Sequence, residues 1–186
     1  ALGSGNAVLT SLNVSYNGIG AEGTKAIATA LGSSVLTECN MRGNDLDFES
    51  ATKLAKVATE KRIMLFGIKH DQTEANFKGH GLGPVDAVLI ASDLMVSAVL
   101  KNLNVAYNSS INGESAQQLA AAALGSASLE VLSEVPIKEL REDKHTSLNL
   151  SGKGLGPTEG IVLAELVKVS AVLTNLNLWY NEIGNE

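Results

Sequence analysis

Short alternating apolar runs recur along the chain, each followed by a stretch with helical spacing. The clearest run is Leu9, Leu12, Val14, Asn17 and Ile19, which fits L-x-x-L-x-L-x-x-N-x-L. The same frame holds Leu36, Cys39, Met41, Asn44 and Leu46, then Leu100, Leu103, Val105 and Asn108 with Ile111 displaced by one residue. It returns at Leu173, Leu176, Leu178, Asn181 and Ile183. Two weaker copies carry Ala75, Phe77 and Leu82, and Leu148, Leu150 and Leu155, with His80 and Lys153 at the Asn position. Alternation at period two predicts a short strand with one inward face. The segments that follow place small and apolar residues at helical spacing: Ala26, Ile27, Ala30 and Leu31; Leu54, Val57 and Ala58; Val88, Leu89, Ala91 and Leu94; Leu119, Ala120, Ala123 and Leu124; Leu163, Ala164, Leu166 and Val167. Pro84 and Pro157, each after a glycine, sit where a first helical turn would begin. Strands alternating with helices imply parallel pairing.

The copies are related by internal repetition. Ala75 to Asn108 aligns with Leu148 to Asn181 at a constant shift of 73, without a gap. The fourth pattern positions are Leu12, Cys39, Ala75, Leu103, Leu148 and Leu176, spaced 27, 36, 28, 45 and 28 apart. The two long spacings each hold a partial unit, Ile63 to Asp71 and Leu129 to Leu140, which reads as a strand and loop with no helix after it. The chain therefore reads as one segment over residues 1–186, with irregular units near 61–72 and 128–144. Ala1-Leu2-Gly3-Ser4 matches the helix ends at Ala30 to Ser33 and Ala123 to Ser126, and the chain stops at Asn185-Glu186 where another helix is due. Since solenoids need polar capping units, these ends suggest a piece of a longer protein.

On these phrases, LNVSYNGIGAEGTKAIATAL (Leu12 to Leu31) above all, the chain resembles the leucine-rich-repeat family, in its ribonuclease-inhibitor-like class. The resemblance covers nearly the whole sequence. It implies an α/β solenoid with a curved parallel sheet on the concave side and helices on the convex side. It also implies a protein-interaction scaffold, and one branch of this class acts as GTPase-activating proteins.

Composition fits a modular core. Leucine occurs 26 times and asparagine 15 times, while aromatics are 4%. The net charge of −6 leaves no general basic footprint for nucleic acid. No apolar run reaches the roughly 18 residues of a membrane helix, because Asp93 breaks the best candidate, Asp86 to Leu100. With one cysteine, Cys39, there is no disulfide framework or Cys-based zinc cluster. That usage, with no signal peptide visible in this segment, favours an intracellular compartment.

Little of the chemistry looks catalytic. The turns Gly79 to Gly83 and Gly152 to Gly156 lie between strand and helix, as phosphate-binding turns do. They lack the G-K-[ST] ending and the downstream acidic residue, and Leu82 and Leu155 hold core positions, so they read as repeat loops. His70, His80 and His145 form no i, i+4 metal pair and read as surface residues. Cys39 stands for a consensus leucine and reads as a small buried hydrophobe. Asp47, Glu49, Glu114 and Glu159 read as helix-start charges. No catalytic, cofactor or metal residue is nominated.

The sheet face is more informative. Asn17, Asn44, Asn108 and Asn181, at the ninth position, are expected to satisfy the backbone of their loops, since an amide both donates and accepts. The fifth position points outward and is asparagine in all six copies: Asn13, Asn40, Asn76, Asn104, Asn149 and Asn177. That row is either an amide ladder running up the sheet or a polar partner surface. The seventh position includes Arg42, Lys78 and Trp179, and the eighth Tyr16, Tyr107 and Tyr180. These tyrosines and the tryptophan are either interface anchors or covers for neighbouring units. The expected partner-binding residues are Tyr16, Arg42, Lys78, Asn104, Tyr107, Asn177, Trp179 and Tyr180. The expected function is a non-catalytic module that binds another protein, with no nucleic acid and no membrane insertion. The alternatives are a structural subunit of a larger assembly, a GTPase-activating protein, and a receptor sensor array.

Overall fold

A computed structural model describes residues 8–184. Seven short strands lie in order along the chain: β1 (Ser11–Asn13), β2 (Glu38–Asn40), β3 (Glu74–Asn76), β4 (Asn102–Asn104), β5 (Val131–Leu132), β6 (Ser147–Asn149) and β7 (Asn175–Asn177). Between them run α1 (Ala21–Leu31), α2 (Phe48–Lys61), α3 (Pro84–Val96), α4 (Gly113–Gly125), the one-turn α5 (Ile137–Arg141) and α6 (Pro157–Val169). All strand pairs are parallel and in repeat register, so Leu12 faces Cys39, Ala75 faces Leu103, and Leu148 faces Leu176. These inward residues, with Met41, Val105, Leu150 and the inner faces of the helices, make one continuous core. The chain is an α/β solenoid of repeated strand–helix units. Strands lie about 4.8 Å apart and helices about 8–10 Å apart, so the helix layer is wider and the sheet becomes the concave side.

Helix starts follow the sequence closely. Pro84 and Pro157 occupy the first helical position after Gly83 and Gly156. The Asp86 and Glu159 carboxylates turn back to accept the N–H of those glycines at 2.9 and 2.8 Å. Asp47 caps α2 by accepting from Ser50 N at 2.8 Å, and its pKa is lowered by that hydroxyl and N–H.

The ninth-position asparagines stitch consecutive units together. Asn44 Oδ1 accepts from Asn17 N and Ile19 N in the preceding loop, while its Nδ2 donates to Val14 O and Met41 O. Asn108 repeats this with Leu82 N, Phe77 O and Val105 O, and Asn181 with Lys153 N, Leu155 N, Leu150 O and Leu178 O. Where His80 and Lys153 replace asparagine, no such stitch reaches back. The sheet divides at those places into β1-β2, β3-β4-β5 and β6-β7.

The partial units sit at these breaks. The first joins β2 through a parallel bridge between Glu38 and Met64 and has no helix of its own, so α3 packs directly on α2. Asp93 of α3, fully buried, fills in for the missing helix by accepting Leu65 N at 2.5 Å and Phe66 N at 3.0 Å. The second partial unit corrects the sequence reading, because it does carry a helix. Ser133 and Glu134 turn with positive φ, Val135 bridges back to Leu132, and Pro136 leads into α5. A single turn is all that fits, since α4 packs directly against α6. The expected helix end at residues 1–4 and the stop at 185–186 lie outside the described residues.

Candidate functional site

Each of the six strands other than β5 has only three residues, so the fifth-position asparagine is its last residue and stands where the chain leaves the sheet. There its side chain turns inward along its own backbone. The Oδ1 of Asn13, Asn40, Asn76, Asn104, Asn149 and Asn177 accepts the N–H two residues on, at 3.0 to 3.1 Å in every unit. This is the asparagine turn-closing bond. It replaces the expected ladder, because none of these six amides bonds to another. Among the described residues none of the six Nδ2 groups has a hydrogen-bond partner, and that of Asn40 packs against Gly67.

The eighth-position tyrosines are held in the left-handed region, with φ of 57° at Tyr16 and 58° at both Tyr107 and Tyr180. That conformation lays the ring along the solenoid axis. Tyr16 covers Gly43 of the next unit so closely that a Cβ there would meet its ring, and Tyr107 covers Gly154 in the same way. Tyr107 also donates its hydroxyl to Gly152 O at 3.0 Å, and its N–H donates to Gly154 O at 2.8 Å. Tyr107 thus bridges the second sheet break and packs on a neighbouring unit as well as facing solvent. Tyr180 is 79% exposed and lies beside Trp179, itself 75% exposed, with ring centroids 5.4 Å apart.

The first sheet break is plugged by aromatic rings. Phe66 of the partial unit meets Phe77 edge to face at 5.0 Å. The Arg42 guanidinium lies over both, at 5.3 and 5.6 Å from their centroids, and contacts His80 Nδ1 at 3.2 Å. Lys78, next in sequence to Phe77, holds its ammonium 4.9 Å from the Tyr107 ring centre. Arg42, Lys78 and Tyr107 are therefore linked through one plug, with Asn104 on the strand that leads to Tyr107. Asn177, Trp179 and Tyr180 lie on β7 and its loop, and Tyr16 follows β1. Phe66, Phe77 and His80 were not among the expected site residues. Two phenylalanines flanking a break in the repeat were the available signal.

A leucine-rich-repeat family signature matches residues 5–28, the unit built on β1 and α1. That match and the repeating strand–helix architecture support a leucine-rich-repeat protein. A search of curated proteins found no match.

The concave face of this leucine-rich-repeat chain has two margins of opposite charge. At the third position stand Glu38, which accepts from Ser11 Oγ at 3.1 Å, and Glu74, which accepts from Asn102 Nδ2 at 3.0 Å. At the seventh stand Arg42 and Lys78. Other cations beside the strands are paired: Lys101 and Lys138 both reach Glu130 at 3.3 Å, and Lys153 reaches Glu134 at 3.4 Å. Among the described residues, Arg42 and Lys78 meet no carboxylate. His145 meets Glu139 at 2.7 Å, and among the described residues no group of three or more His, Cys, Asp or Glu side chains comes together to hold a metal ion. Cys39 is buried in the core, where desolvation pushes its thiol up to about 11. Among the described residues no helix is long and apolar enough to cross a membrane. On the convex side an open cavity of about 810 Å³ lies over α3, between Ala55 and Thr59 of α2 and Ala122 of α4, with Met95 63% exposed.

Proposed function

We propose that this leucine-rich-repeat chain is a non-catalytic module that holds another protein on its concave face. The observation that carries this reading is the state of that face. Its loop backbone is already satisfied by the ninth-position asparagines, while Arg42 and Lys78 meet no carboxylate among the described residues and the Trp179–Tyr180 pair stands exposed. Aromatic and arginine side chains are the anchors that dominate protein interfaces. Arg42, Lys78, Asn104 and Tyr107 form one half of the proposed surface, and Asn177, Trp179 and Tyr180 the other, with Tyr16 at the first unit. Unit spacings of 27 and 28 residues, with a full helix in each, support the ribonuclease-inhibitor-like class.

A photo-crosslinking side chain placed at Trp179 should trap a partner in the native extract, whereas one at Met95 should not. Trapping through Met95 alone would overturn the concave assignment. It would favour the second reading, a structural subunit packed through its helices, which the cavity over α3 supports.

A further inference from the structure

We propose that the partner segment held at the middle of the concave face is an extended acidic peptide, seated over the plug between β2 and β3 and the Lys78–Tyr107 pair beside it. This rests on the concave-face reading above and adds the chemistry of what is recognised.

Three observations converge there. First, Arg42 and Lys78 are fixed before any ligand arrives. Stacking on Phe66 and Phe77, and on Tyr107, confines two long side chains that ordinarily lose much rotamer freedom when they bind. Second, the groups around them are donors. The Oδ1 atoms of Asn76 and Asn104 accept from Lys78 N and Ala106 N, and among the described residues neither Nδ2 has a hydrogen-bond partner, so each amide keeps a free donor. Arg42 can only donate, so His80 Nδ1 accepts from it; the His80 ring then carries its hydrogen on Nε2, another donor. Third, no acidic group of the described residues pairs with either cation, although the chain carries a net charge of −6. A surface of cations and amide donors is complementary to carboxylates and to backbone carbonyls. The acidic margin of Glu38 and Glu74 repels such a segment and confines it to the Arg42–Lys78 side. An extended peptide fits better than a folded acidic surface, because the donors follow the strand order, Arg42 after β2 and then Asn76 and Asn104 on the paired strands β3 and β4, about 4.8 Å apart.

The test is fluorescence anisotropy on the whole chain with labelled twelve-residue peptides of alternating glycine and glutamate, against glycine and glutamine. The glutamate peptide should bind at least tenfold more tightly at roughly 50 mM salt, and the difference should shrink at roughly 300 mM as screening shortens. Lys78→Gln, an exposed change that leaves the strands intact, should weaken the glutamate peptide about threefold to fivefold, the range of an exposed ion pair. Lys78→Arg should restore it. Equal binding of the two peptides, or no effect of Lys78→Gln, overturns the inference. So does an oligothymidylate of equal charge that binds more tightly through the same residues. If these tests fail while the crosslinker at Trp179 still traps a partner, only the acidic-peptide inference falls. If the crosslinker also traps nothing, the concave-face reading falls with it.

Discussion

Asp93 offers the sharpest test of how the irregular units are held. Its carboxylate is fully buried, and desolvation pushes its pKa from 3.8 up to about 7. The N–H groups of Leu65, Phe66 and Ile68 limit that rise, while the charge on Glu38 adds to it. A raised pKa means that the folded state holds the proton more tightly than the unfolded one. Stability is therefore fully present below 3.8, falls as pH rises through the window from 3.8 to about 7, and is level above it. A difference of about 3 pKa units corresponds to about 4 kcal/mol across the window. Asp93→Asn removes the titration. Its Oδ1 accepts one of the two N–H groups, and its Nδ2 faces the other. Urea unfolding followed by circular dichroism, from about pH 4.5 to 8.5, should show this fall in the wild type and a clearly smaller one in Asp93→Asn, where buried Glu159, its pKa also raised by desolvation, still titrates. Asp93→Ala orphans both N–H groups and should cost about 2–6 kcal/mol near pH 5, at about 1–3 kcal/mol for each unsatisfied group. An Asp93→Asn variant with the wild-type slope would refute the argument, because some other group would then be responsible.

Three further outcomes follow from the same contacts. Asn108→Ala leaves Leu82 N and the carbonyls of Phe77 and Val105 without partners, and should cost about 1–3 kcal/mol in a denaturant melt. Tyr107→Ala uncovers Gly154 and removes the bond to Gly152 O; it should lower stability by about 1–2 kcal/mol, whereas Trp179→Ala should change the melt by less than about 0.5 kcal/mol. Cys39, buried and with its thiol raised to about 11, should react with a maleimide only as fast as the core opens, so labelling should accelerate sharply at the urea midpoint; rapid labelling without denaturant would contradict its burial.

Much of the architecture was legible because repetition amplifies weak local signals. Leu12, Cys39 and Leu176 each mark a strand interior, and Pro84 and Pro157 each mark a helix start, so one copy corroborates another. The ninth-position asparagines were legible for the same reason. The fifth-position row leaves a ladder and a partner surface open in the sequence, and the structure shows turn-closing bonds in place of the ladder. Period-two alternation shows that Asn13 points outward, but it does not show that the strand ends there, and only at a strand end is the N–H two residues on free for the side chain. The plug of Arg42, Phe66, Phe77 and His80 was not legible, because it depends on which unit follows a break. Asp93 appeared in sequence only as a charge interrupting an apolar run; its partners lie 28 and 27 residues earlier, in a unit with no helix.

The partial units also bear on bending. Every full unit adds one strand width to the inner layer and one helix diameter to the outer, and that unequal growth turns the array. The unit from Ile63 to Ile68 lengthens the inner layer alone, so the array unbends locally. It gains one more strand width of recognition surface with about a third of the chain a complete unit consumes. Deleting such a unit would tighten the arc and bring β2 and β3 closer, altering the spacing of the inner surface without touching one residue that faces a ligand.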